Sequence, residues 1–479
     1  MRRARPIAYA IAAILAASLA WHEHAAPRPA DKPALFHPDP QHVSNRLYRA
    51  LHVRTAPDGK QYGFDTLDPL LWSETSYLLE GKSHQQAIAL ADEFLRTNAA
   101  RQITDRLKRA ILQRDVWAVL DWADEQVESD LPHQPERREL ISRLAPIVRS
   151  LALSPEELAT LPDTFSRALQ LREFPAAYDS ANPNHAFLPP DLFDAHGPWV
   201  CLSPPAPGLA APLHDMSFTA RSVFLVFARL PGGRDATLAY FKQLADMEIP
   251  LFVRMKDPNW PQPTDVWNPQ VPQFPAGTEF ALVRKLVLPD RDGRLHVTSI
   301  VESVQIRHYT DIPHVDPMAS RDVNLAQHFQ APSEIELSRT LLFSGNHSGL
   351  RGVTASDDPF LIFPAMSNGS DEVEDTKMRA HPFSPFINCT GCHIGPGIQS
   401  MMSFSFRGNA SEGPVLSPRL AETTPNDESE KVTHWAQTQQ KERLAPQLVC
   451  NQPELKKGSA AGFKSHQARS TQTPESPHP

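Results

Sequence analysis

The residues of this chain best suited to chemistry are Cys389-Thr390-Gly391-Cys392-His393. In a Cys-x-x-Cys-His run each thiol can add to a vinyl group of a haem, and the adjacent histidine is then held beneath the iron as an axial ligand. Two other chemistries share part of the pattern. A Cys-x-x-Cys pair makes a redox disulfide when it follows a strand and opens a helix, whereas Pro382, Ser384 and Pro385 precede this one. Zinc needs a second ligand pair of comparable spacing, and no other Cys-x-x-Cys or His pair supplies it. Cys201 and Cys450 are left over; in an oxidising compartment they pair with each other or stay as free buried thiols.

On Cys389, Cys392 and His393, with Gly395-Pro396-Gly397 just beyond, the chain resembles the c-type cytochromes. The resemblance covers about ten of the 479 residues. It implies one covalently attached haem c, bound through Cys389 and Cys392, with His393 as proximal iron ligand. It also implies electron transfer with a redox partner protein. In small monohaem members the motif ends an N-terminal helix; here it lies late in the chain behind two prolines, so the family's fold is not implied. Two other roles fit a single haem: an enzyme of peroxidase type with an open distal position, and a binding or scaffold protein with structural or sensory haem. The ligand state of the iron separates the three, and no spacing in the chain nominates a nucleophile with its base.

For the distal side the first candidate is Met402. In Met401-Met402-Ser403-Phe404-Ser405-Phe406 the alternation puts Met402, Phe404 and Phe406 on one face of a strand, which would cover the haem and offer a thioether. The plainer reading of the same face is that it simply packs in the core, because Met and Phe are routine core residues. Met378, His381 and His434 compete, as does a ligand from the preceding domain. Fully extended, the nine residues after His393 span about 30 Å, so reaching round the haem edge requires a nearly straight path. Arg307-His308-Tyr309, at a strand end, has the charge to meet haem propionates; a solvated strand terminus is the plainer reading.

Haem attachment takes place outside the bacterial cytoplasm, and the N-terminus agrees with export. Arg2, Arg3 and Arg5 precede the apolar run Ile7 to Trp21, which is shorter than a typical span, and Ser18-Leu19-Ala20 suits cleavage, so residues 1–20 read as a signal peptide and the chain as periplasmic or otherwise exported. No later stretch is apolar for long enough to predict a transmembrane helix. The formal charge of -8 makes nucleic acid an unsuitable partner.

The elements that must position the motif fall into an α+β pattern. Residues 40–175 form a mainly helical domain: apolar residues recur at helical spacing from Ala87 to Leu95 and from Leu107 to Leu120, and Ser154-Pro155-Glu156-Glu157 marks a helix start. Pro183 to Pro207 interrupts any helix, so 176–212 reads as a Pro-rich linker or extended wrap. In 213–375, a central mixed α/β domain, Val223 to Phe227 is a buried strand and Asp235 to Met247 a helix. Phe280 to Leu288 and Leu295 to Ile306 form an antiparallel hairpin around Asp290-Arg291-Asp292-Gly293. Residues 376–450 are the C-terminal haem-binding segment, and 451–479 a polar disordered tail.

Overall fold

The computed structural model describes residues 35–55, 61–65, 76–125, 133–183, 185–202, 221–247, 252–255, 264–268, 270–312, 329–354, 360–362, 381–383, 393 and 397–402. Helices come first. They are α1 (Val43–His52), α2 (Gly81–Arg96), α3 (Arg106–Glu125), α4 (Gln134–Leu151), α5 (Pro155–Ala159) and α6 (Thr164–Leu171), with a pair of antiparallel strands of two residues each, β1 (Arg54–Thr55) and β2 (Gln61–Tyr62), after the first. The expected capping box is present: Ser154 Oγ accepts from the Glu157 amide and the Glu157 carboxylate accepts from the Ser154 amide, although α5 runs only one turn.

The strands that follow are β3 (Val200–Leu202), β4 (Ser222–Arg229), β5 (Phe252–Met255), β6 (Thr264–Trp267), β7 (Glu279–Pro289), β8 (Leu295–Tyr309), β9 (Gln330–Leu337), β10 (Leu350–Gly352), β11 (Phe360–Ile362) and β12 (His381–Phe383). Among them lie α7 (Gly233–Ala245), α8 (Arg339–Ser344) and, last, α9 (Ile398–Met402). Six strands make one antiparallel sheet in the order β10-β9-β8-β7-β4-β3. The β7–β8 hairpin turns where the sequence predicts it, with Gly293 at φ 79° and Asp290 accepting from the Asp292 and Arg294 amides.

Both sheet faces are covered, which explains why β4 reads as an unbroken apolar run rather than an alternation. Val223, Leu225, Phe227, Ala281, Val283, Val304 and Ile306 face the helical layer and share one core with Ile111, Val119, Leu144 and Phe165. Phe224, Val226, Ala228 and Phe280 face the other way, against Tyr240, Phe241 and Leu244 of α7, together with Phe274, Tyr309 and Ile398. The fold is thus mixed α+β, as expected, but the helical and sheet regions share a continuous core. Helix α3 is tied to the sheet by buried charge. Glu302 accepts from Arg114 at 2.7 Å, from Arg284 at 2.8 Å and from Ser222, and Arg221 meets Asp121 at 3.0 Å.

Residues 185–202 do not run free between two bodies. Phe187, Leu188, Leu192 and Trp199 are buried in the helix-side core, and β3 closes one edge of the sheet. Of the two expectations for the proline-rich stretch, the extended wrap describes these residues: proline stops helix formation, but its neighbours Phe, Leu and Trp still bury apolar surface.

Candidate functional site

Gly397 begins the site's local structure. Its φ of +56° is costly for any residue with a Cβ, and an added Cβ would stand 2.1 Å from Gln273 Oε1. That close approach lets Gln273 Oε1 accept from the Ile398 amide at 2.7 Å, so the first helical turn after Gly397 has a partner for its leading N–H. The Ser400 amide and hydroxyl both donate to the Gly397 carbonyl, at 3.0 and 2.9 Å. The result is α9, not the strand expected from the Met401-to-Phe406 alternation. Two residues of an alternating pattern cannot separate a strand from a helical turn, and here the tertiary partner Gln273 decides. Phe404 and Phe406 lie outside the described residues.

His393 is partly buried and lies against α9. Its Nδ1 is 2.8 Å from the Ser400 carbonyl oxygen, an acceptor only, so Nδ1 carries a proton, and in the neutral form of the ring the lone pair is on Nε2. A metal-ligating histidine has this tautomer when its second nitrogen is held by a main-chain carbonyl. The arrangement therefore suits iron ligation through Nε2.

The sheet holds this segment at two further points. Gln330 Nε2 donates to the His393 carbonyl at 3.1 Å, while Gln330 Oε1 accepts from Arg307 Nη1 at 2.7 Å. Tyr309 is directly opposite Gln330 across β8 and β9, and its hydroxyl meets Ser400 Oγ. Because the Ser400 hydroxyl donates to Gly397, Tyr309 is the donor in that bond. Burial against Phe274 and Phe280 pushes the Tyr309 phenol pKa up, so it keeps its proton. Nearby, burial likewise raises Glu334, opposed by a bond from Gln305 and by Arg284, Arg307 and Arg351.

The Arg307-His308-Tyr309 strand end is therefore not a solvated terminus. Tyr309 is fully buried and Arg307 nearly so, on the sheet face next to His393. His308 points to the opposite face, where Nδ1 meets Glu279 at 2.9 Å and the ring stacks on Tyr178. On a sheet covered on both sides, the strand end buries Arg307 and Tyr309 and leaves only His308 partly open.

Of the predicted site residues, His393 is placed in a defined setting. Cys389 and Cys392 lie outside the described residues, as do Met378 and His434. His381 opens β12, paired with Ile362. The backbone of Met402 ends α9, and with residues 398–402 helical the reach from His393 falls from about 30 Å to about 23 Å. The chain also turns back so that Ser400 touches His393, and the straight path required to carry Met402 round a haem edge is not the one it takes. Among the described residues, no group of three or more His, Cys, Asp or Glu is arranged to hold a metal ion, and no helix is long and apolar enough to cross a membrane. Gln273, Gln330 and Ser400 escape sequence reasoning because a neutral amide or hydroxyl carries no spacing signal.

No family model matches this chain, and no curated protein or solved structure is significantly similar to it.

Proposed function

We propose that this is an exported c-type haem protein, with one haem attached through Cys389 and Cys392, held by His393, and used for electron transfer with a redox partner protein. The observation that carries the reading is the joint one: a Cys-x-x-Cys-His motif whose histidine donates its Nδ1 proton to the Ser400 carbonyl, as an iron ligand's second nitrogen does. When bound, such a haem supplies a one-electron iron couple. The chain's own contribution is to present Nε2, to fix the ring through Ser400 and to anchor the segment through Gln273, Gln330 and Tyr309. Arg307, held at Gln330 beside this segment, has further N–H donors and a charge of the right sign for a propionate at the haem rim. The turn at Ser400 favours a sixth ligand from a segment other than α9, in place of Met402.

The test is covalency. Full-length protein made alongside a haem-attachment system should keep its haem through denaturing electrophoresis, and the Cys389→Ala, Cys392→Ala double variant should lose it. A wild-type band without haem, in cells that load a known c-type cytochrome, would refute the reading.

A further inference from the structure

We infer that Tyr309 is a positioning residue for His393, acting through Ser400, and that its hydroxyl keeps the histidine in the Nδ1–H form and makes it the stronger iron donor. The consequence at iron rests on the haem reading above; the geometry does not.

Ser400 is where the chain of bonds turns. Its side chain receives the Tyr309 hydroxyl and its main-chain carbonyl receives the His393 Nδ1 proton, while its own hydroxyl closes on Gly397. These bonds, with the Ser400 amide bonded to Gly397 as well, set the direction of the Ser400 carbonyl, and that direction sets the rotation and tautomer of the imidazole. Without such a bond a neutral imidazole in water distributes its proton between both nitrogens. Packing alone does not call for tyrosine here: the ring sits edge to face with Phe274 at 4.9 Å, a place phenylalanine would fill as well. The hydroxyl, fully buried, is costly unless bonded, and Ser400 is its bonded partner. Proton sharing with the carbonyl puts electron density on Nε2, which favours oxidised iron and lowers the potential.

Two readouts separate this inference from the haem reading. In full-length chain made without haem, nitrogen-15 NMR of the histidines should find His393 as Nδ1–H in wild type and as a mixture of tautomers in Tyr309→Phe. Ser400→Ala, which keeps the carbonyl but loses the hydroxyl, should match Tyr309→Phe, and Ser400→Thr should restore the wild-type form. In haem-loaded chain the midpoint potential should rise in Tyr309→Phe and in Ser400→Ala, and the double variant should rise no further. A merely structural role would lower the melting temperature and leave tautomer and potential alone, and that result overturns the proposal. If Tyr309→Phe fails to fold, Ser400→Ala carries the same comparison. A tautomer shift in Tyr309→Phe, with a wild type that takes up no haem, sustains the positioning role and removes the haem reading alone.

Discussion

Replacing Gly397 with alanine is the smallest change that should undock the His393 segment. The backbone there has φ +56°, and holding a residue with a Cβ in the left-handed region costs about 1–2 kcal/mol. The new methyl would lie 2.1 Å from Gln273 Oε1 and 2.5 Å from its Cδ, so the amide must swing away and give up its bond to the Ile398 N–H. That bond contributes about 0.5–1.5 kcal/mol. Together the two effects weaken docking of α9 by about 2–3 kcal/mol, roughly a hundredfold in the docking equilibrium. Unfolding stability should fall by no more than the same amount, about 2–3 kcal/mol, because the larger core between the helical layer and the sheet does not include α9. Hydrogen exchange at the Ile398 and Ser400 amides reads the local opening directly, and both should exchange roughly a hundredfold faster in Gly397→Ala. In a Gln273→Ala background the obstruction is already gone, so there the same change should cost only the backbone strain. Unchanged exchange at Ile398 and Ser400 would show that the Gln273 contact does not hold the segment, and the argument would fail.

Two other expectations concern the scaffold. Glu302→Gln removes the carboxylate shared by Arg114 and Arg284, both in the buried layer, and should lower unfolding stability by about 3–5 kcal/mol in urea titration; a loss below about 1 kcal/mol would mean the pair is hydrated like a surface bridge. His37 has its pKa lowered, first by burial and then by the stacked His42, against the pull of Asp39; because the unfolded chain binds that proton more readily, the neutral ring's contribution is complete above the unfolded value of about 6.5 and is lost as pH falls through the folded value. Melting temperature should therefore drop more steeply from pH 7 to 5 in wild type than in His37→Gln, and parallel curves would refute the assignment.

How far the fold and site can be read without coordinates differs element by element. Helices α2 and α3, the strand at 223–227 and the 279–309 hairpin are legible because each depends on a local period or on turn residues such as Asp290 and Gly293, and these interactions are encoded within a few neighbours. The motif Cys389 to His393 can be picked out for the same reason, because it is five adjacent residues.

What the sequence could not decide is set by partners far away along the chain. Whether residues 401–402 continue a strand or close a helix depends on Gln273, more than a hundred positions earlier. Whether Tyr309 ends in water or in a core depends on the second sheet face being covered by α7 and α9. Whether 185–202 connects two bodies or binds them depends on Phe187 and Trp199 finding the helix-side core. Local propensities over such short stretches differ by only about 1 kcal/mol, less than a few long-range hydrogen bonds and one buried aromatic ring contribute, so tertiary contact overrides them. The histidine of the Cys-x-x-Cys-His motif stands plainly in the sequence; its hydrogen bond to Ser400, its orientation and the tyrosine behind it were decided by the fold.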